Sequence, residues 1–102
     1  MSNARLDFNT MYETVAASQT DQILGNVGRA GNLLERLVVS VATAATSTVS
    51  IKDGSGSAIV ITAANTPIGV YSVEIGAMST GGAWKVTTGA GATVLAVGNF
   101  KD

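Results

Sequence analysis

The chain has 102 residues, enough for one domain, and contains neither cysteine nor histidine. That composition excludes disulfide staples and thiol nucleophiles, and it removes the side chain most used for general-base work and metal ligation near neutral pH. Six basic residues (Arg5, Arg29, Arg36, Lys52, Lys85, Lys101) stand against seven acidic ones for a net charge of -1. They are dispersed along the chain, so there is no electrostatic footprint for nucleic acid or an anionic membrane.

Charged residues make up 13% of the chain, against a usual share of roughly 25%. Ser, Thr, Asn and Gly must therefore cover most of the polar surface. Such a surface suits packing against other copies, because interface cores are depleted in charge.

Met1 to Thr14 carries Leu6, Phe8, Met11 and Tyr12 beside Arg5, Asp7 and Glu13, with neither a helical nor a strand period. Two readings fit this segment: an extended arm with adhesive side chains, or an ordinary edge strand. Met1 to Phe8 lacks the apolar stretch of a secretory signal, so folding in a cytoplasm is expected. Thr14 to Leu24 reads as one or two short strands, and the glycines of Gly25-Asn-Val-Gly28-Arg-Ala-Gly31 mark a loop.

Leu33 to Val41 is the clearest strand, with Leu37, Val39 and Val41 on one face and Arg36, Val38 and Ser40 on the other. Val49 and Ile51 alternate with Ser50 and Lys52 in the next. Asp53-Gly54-Ser55-Gly56 is a tight turn, and Ile59 and Ile61 return with Val60 opposite. After the turn at Pro67, Tyr71, Val73 and Ile75 alternate with Ser72 and Glu74. Trp84 and Val86 alternate with Lys85 and Thr87, and Ala92 to Phe100 ends the domain.

About eight short strands with regularly spaced turns, and no amphipathic helix, predict an all-β antiparallel sandwich or barrel. Two strands are apolar on both faces. Val94 and Ala96 oppose Leu95 and Val97, and Val60 opposes Ile59 and Ile61. One face of a sandwich strand meets solvent, so the second apolar face needs cover, which a neighbouring subunit, the surface of a larger assembly, or a loop or the N-terminal segment folding over would supply.

Reactive chemistry finds little purchase. The Gly25/Gly28/Gly31 spacing is not a dinucleotide or phosphate fingerprint. Asp53-Gly54-Ser55-Gly56-Ser57 has one carboxylate where a calcium loop needs several oxygen ligands. No serine has a histidine partner, and a serine-lysine pair with Lys52 or Lys85 is not suggested by spacing. Carboxylate pairing among Asp21, Asp53 and Glu74 requires an unsignalled convergence. Trp84, in register with Val86, is expected in the core. The chain reads as no enzyme, with no cofactor and no metal.

Several segments together, Ser18-Gln-Thr-Asp-Gln-Ile-Leu-Gly25, Leu34-Glu-Arg-Leu-Val-Val39, Val49-Ser-Ile-Lys-Asp-Gly54, Ala83-Trp-Lys-Val-Thr-Thr-Gly89 and Ala96-Val-Gly-Asn-Phe100, resemble small virion structural proteins of tailed bacteriophages, especially capsid decoration (cement) proteins. The similarity spans about Ser18 to Phe100. It implies a jelly-roll-like β-sandwich, with an immunoglobulin-like ladder as runner-up. It also implies a homo-oligomer, often a trimer, that binds the major capsid protein on the outside of the head and clamps neighbouring subunits after assembly in the bacterial host cytoplasm. On that reading residues 1–14 form a capsid-grasping arm and residues 15–102 the sandwich. Phe8, Met11, Tyr12 and the outward Val60 are then the expected contacts. The other functional class is a tail-fibre or host-surface module that reads carbohydrate, with Trp84, Tyr71 or Tyr12 as stacking platforms.

Overall fold

The computed structural model of the chain describes residues 11–25, 30–44 and 46–100. Phe8, the first of the expected contacts, lies outside them. The strands are β1 (Met11–Val15), β2 (Gln22–Ile23), β3 (Leu33–Val41), β4 (Val49–Asp53), β5 (Ile59–Thr62), β6 (Gly69–Met78), β7 (Trp84–Thr87) and β8 (Ala92–Asn99). They form two antiparallel four-stranded sheets, in the orders β1-β8-β3-β6 and β2-β7-β4-β5. The all-β sandwich expected from the alternation is therefore the observed fold.

The ladder has a simple logic. β4 and β5 form a hairpin, and outward from it β3 pairs β6, β2 pairs β7 and β1 pairs β8. This is the pairing of one long antiparallel ribbon rolled so that successive pairs alternate between layers. An immunoglobulin ladder instead places its first two strands side by side. Here β1 lies beside β8 and β2 lies in the other sheet, so the runner-up topology is not the one adopted.

Alternation decides which side chains enter the core. Leu37, Val39 and Val41 of β3 are buried, as are Val49 and Ile51 of β4, Trp84 and Val86 of β7, and Ala92, Val94 and Ala96 of β8. Leu34 is also fully buried, three residues before Leu37, which strict alternation does not allow. A β-bulge between Leu34 and Arg36 absorbs the extra residue. On the β6 side the irregularity coincides with Gly76 at φ +64°, a backbone conformation glycine adopts without steric cost.

The two flanks of the sandwich differ. At the β1/β2 flank, Glu13 accepts hydrogen bonds from Gln22 Nε2 (2.9 Å) and from the Gly25 N–H (2.9 Å), tying the sheets together over the fully buried Val15 and Leu24. Met11 to Thr14 are thus part of the sandwich, each opposite a residue of β8. The expected arm over residues 1–14 loses its last four residues to β1, because the ladder and the Glu13 latch hold them in place. At the β5/β6 flank the inward side chains Ile61, Tyr71 and Ile75 pack on the core but stay only half-buried.

A candidate docking surface on one face of the sandwich

The residues with apparent chemical potential are taken up in structural contacts. Asp53 closes two loops together: its carboxylate accepts from the backbone N–H of Thr80 (3.0 Å), the Thr80 hydroxyl (2.9 Å) and the Gly81 N–H (2.9 Å). The backbone N–H of Gly81, followed by that of Thr80, holds its carboxyl below the ordinary range, outweighing desolvation. Asp21 accepts from the Thr87 hydroxyl (3.1 Å) and lies 3.4 Å from Lys52 Nζ. The Thr87 hydrogen bond, assisted by Lys52 and Lys85, lowers its pKa against a desolvation penalty. Glu74 sits on the other sheet, beside Arg36. Among the described residues no group of three acidic, histidine or cysteine side chains is placed to hold a metal ion.

The aromatics separate as sharply. Trp84 is 5% exposed, and its indole N–H donates to the Asn32 carbonyl at 3.1 Å. Tyr71 turns inward from β6, and its hydroxyl donates to the Pro67 carbonyl at 2.6 Å. Tyr12 is 70% exposed. Of the three rings considered for carbohydrate stacking, Tyr12 alone presents an open face.

The outer faces of the two sheets differ in where their charges lie. Across the β2-β7-β4-β5 sheet, one row runs Ile23, Lys85, Lys52 and the next Thr87, Ser50, Val60. Its centre holds two lysines directly opposite one another, with Asp21 alongside, a surface that water solvates well.

Across the β1-β8-β3-β6 sheet, three rows run Tyr12, Val97, Arg36, Glu74; then Thr14, Leu95, Val38, Ser72; then Thr93, Ser40, Val70. The charges in these rows, Arg36 and Glu74, stand directly opposite each other at one corner. Everything else is aliphatic, aromatic or hydroxyl-bearing. Leu95, Val97 and Val38 form a half-buried strip, with Tyr12 and Val70 (69% exposed) at its two edges. Beside Leu95 a shallow depression of about 250 Å³ is lined by Thr14, Ser40 and Thr93.

Such a face can be covered at low cost. Hydroxyls need only a hydrogen-bond partner when water leaves, whereas an unpaired buried charge costs far more. Knobs of a partner protein can sit against the Leu95 strip without stranding an ion.

Of the four residues expected as contacts, Phe8 lies outside the described residues, and the other three do not share one face. Tyr12 lies on the face that carries the Leu95 strip. Met11 has the opposite parity, shared with Val15, and is only partly exposed at the rim. Val60 is 61% exposed but belongs to the outer face of the other sheet, opposite Ser50. Leu95 and Val97 were signalled by the doubly apolar β8. Their convergence with Val38, Tyr12 and Val70 was not, because it depends on cross-strand register.

No family model matches the chain, and neither a curated protein nor a solved structure matches it.

Proposed function

We propose that this chain is a virion structural protein of a tailed bacteriophage: a head decoration, or cement, protein that seats on the outside of the capsid and clamps neighbouring major capsid subunits. The observation that carries this reading is the apolar and hydroxyl-bearing strip on the outer face of the β1-β8-β3-β6 sheet, whose charges Arg36 and Glu74 stand opposite each other at one corner, set against a face with two lysines at its centre on the opposite layer. One face invites a flat protein contact and the other stays in water. The strand ladder supports the same reading, since eight antiparallel strands in two sheets are compatible with the jelly-roll sandwich that the resemblance implies.

The mechanism is adhesive. Each copy contributes a modest contact, and copies joined into a homo-oligomer gain from effective concentration, because the second contact is made from an already tethered position. Residues 1–10 are left as the proposed arm, with Leu6 and Phe8 among its apolar side chains. No catalysis, cofactor, nucleic acid or membrane enters this function. The carbohydrate-reading alternative is less favoured, since Trp84 and Tyr71 are committed inward.

Sedimentation with purified expanded heads tests the proposal. The full chain should pellet with the shells. A Leu95→Lys/Val97→Lys variant should fold normally and stay in the supernatant, and a variant lacking residues 1–10 should bind more weakly. Wild-type chain that ignores shells, or a lysine variant that pellets as well as wild type, would overturn it; saturable glycan binding through Tyr12 would favour the alternative.

A further inference from the structure

We infer that the β5/β6 flank is the docking site for a second copy of this chain, through antiparallel pairing of two β6 edges about a two-fold axis at Ser72. This goes beyond the virion reading and does not rest on it. It also gives a pair where the resemblance implies a trimer.

The first support is the free edge itself. β5 and β6 end their sheets, and among the described residues no strand continues either of them. β6 is ten residues long and contains no lysine or proline, the usual devices that blunt an exposed edge. Its regular stretch is bounded on one side by the Pro67 turn and on the other by the irregularity at Gly76. That leaves Gly69 to Ile75 as the uninterrupted edge, with Ser72 at its centre.

The second support is side-chain complementarity at that register. The longest self-paired ladder sets Ser72 against Ser72, Tyr71 against Val73 and Val70 against Glu74. The two Glu74 carboxylates, the only charges on β6, are therefore kept apart. The inward side chains Tyr71, Val73 and Ile75, half-buried in the isolated chain, come together with their counterparts and extend the core across the axis. Ile59 and Ile68, half and two-thirds exposed on the same flank, lie where such a pair would cover them.

The third support is size. Seven residues at ~3.4 Å each make an edge ~24 Å long, and two layers ~10 Å apart with their outer side chains make it ~20 Å deep. The resulting ~480 Å² per copy, about 1,000 Å² in all, is the size of a weak interface that comes apart on dilution. An isologous contact of this kind closes on itself, because each β6 edge is used up by its partner.

The test uses the full chain. Light scattering and sedimentation equilibrium should give twice 10.3 kDa, dissociating on dilution. The chain has no cysteine, so Ser72→Cys should form a disulfide-linked pair on mild oxidation while Thr14→Cys does not. Ser72→Lys places two cations directly opposite and should weaken association roughly tenfold or more. Val70→Lys faces the partner's Glu74 in this register and should leave the pair intact. Trp84 fluorescence confirms that each variant is folded. A single chain at every concentration, a mass of three copies, absence of the Ser72→Cys cross-link, or equal loss with Val70→Lys and Ser72→Lys would each overturn the proposal.

Discussion

Val94 and Leu95 are adjacent in β8 and point to opposite sides of one sheet, so the same substitution should have very different consequences at the two positions. Val94 is 2% exposed and lies opposite Val15 and Val39, both fully buried. Val94→Thr keeps the shape and the strand propensity but places a hydroxyl among aliphatic side chains, at a cost of about 1–3 kcal/mol. Leu95 is half-buried on the outer face between Thr14 and Val38. Leu95→Thr gives up part of one side chain's cover and should cost less than about 1 kcal/mol. In a domain of this size 1 kcal/mol corresponds to roughly 4–8 °C in Tm. Val94→Thr should therefore lower Tm by about 5–20 °C and Leu95→Thr by no more than a few degrees. The buried Trp84, the chain's single tryptophan, reports both by fluorescence during heating or urea unfolding. Equal losses at the two sites would refute the reasoning, because they would mean that Leu95 is covered within the single chain and that its face is not free to dock.

Trp84→Phe removes the indole N–H from the Asn32 carbonyl, but that oxygen also accepts from the Ser79 N–H at 2.9 Å and keeps one partner. The hydrogen-bond loss is then about 0.5–1.5 kcal/mol, and lost ring burial brings the total to about 2–3 kcal/mol by urea unfolding; a loss above 5 kcal/mol would show the carbonyl to be stranded after all. Gly54→Ala forces an L side chain into φ +60° with its Cβ 2.5 Å from the Gly81 carbonyl carbon, so it should cost about 2–4 kcal/mol, and a neutral result would mean that the two loops are not in contact. The Asp53 latch makes stability depend on acid. Its folded pKa is depressed, so the stabilisation is fully present above the unfolded carboxylate value of about 3.9 and is lost as pH falls through the lower folded value. Asp53→Asn should flatten the fall of the urea midpoint across that range, and an unchanged acid limb would remove the latch from the account.

Much of the architecture is local and was therefore readable along the chain. A strand turns successive side chains to opposite sides, so Leu37, Val39 and Val41, or Trp84 and Val86, declare their shared face without reference to any other strand. The same parity exposed the double apolar character of β8 and sent Trp84 to the core. The absence of histidine and cysteine, the scattered charges and the turn glycines needed no structure to interpret. Leu34, which breaks the alternation, was not readable in this way: its inserted residue shows only in the pairing with β6 and β8.

Tertiary structure decided what parity cannot express, namely which strands lie side by side and at what register. Tyr12, Val97 and Arg36 occupy one row although they are far apart in sequence. Tyr12 and Val60 look equally outward along the chain and yet belong to opposite layers. The role of Asp53 depends on Thr80 and Gly81 arriving from another loop, and the incorporation of Met11 to Thr14 into a sheet depends on β8 being there to receive them. The physical reason is the same in each case. The direction of a side chain from its own backbone is set by bonds within a few residues, whereas a surface is assembled by hydrogen bonds between segments that meet only when the ribbon rolls up.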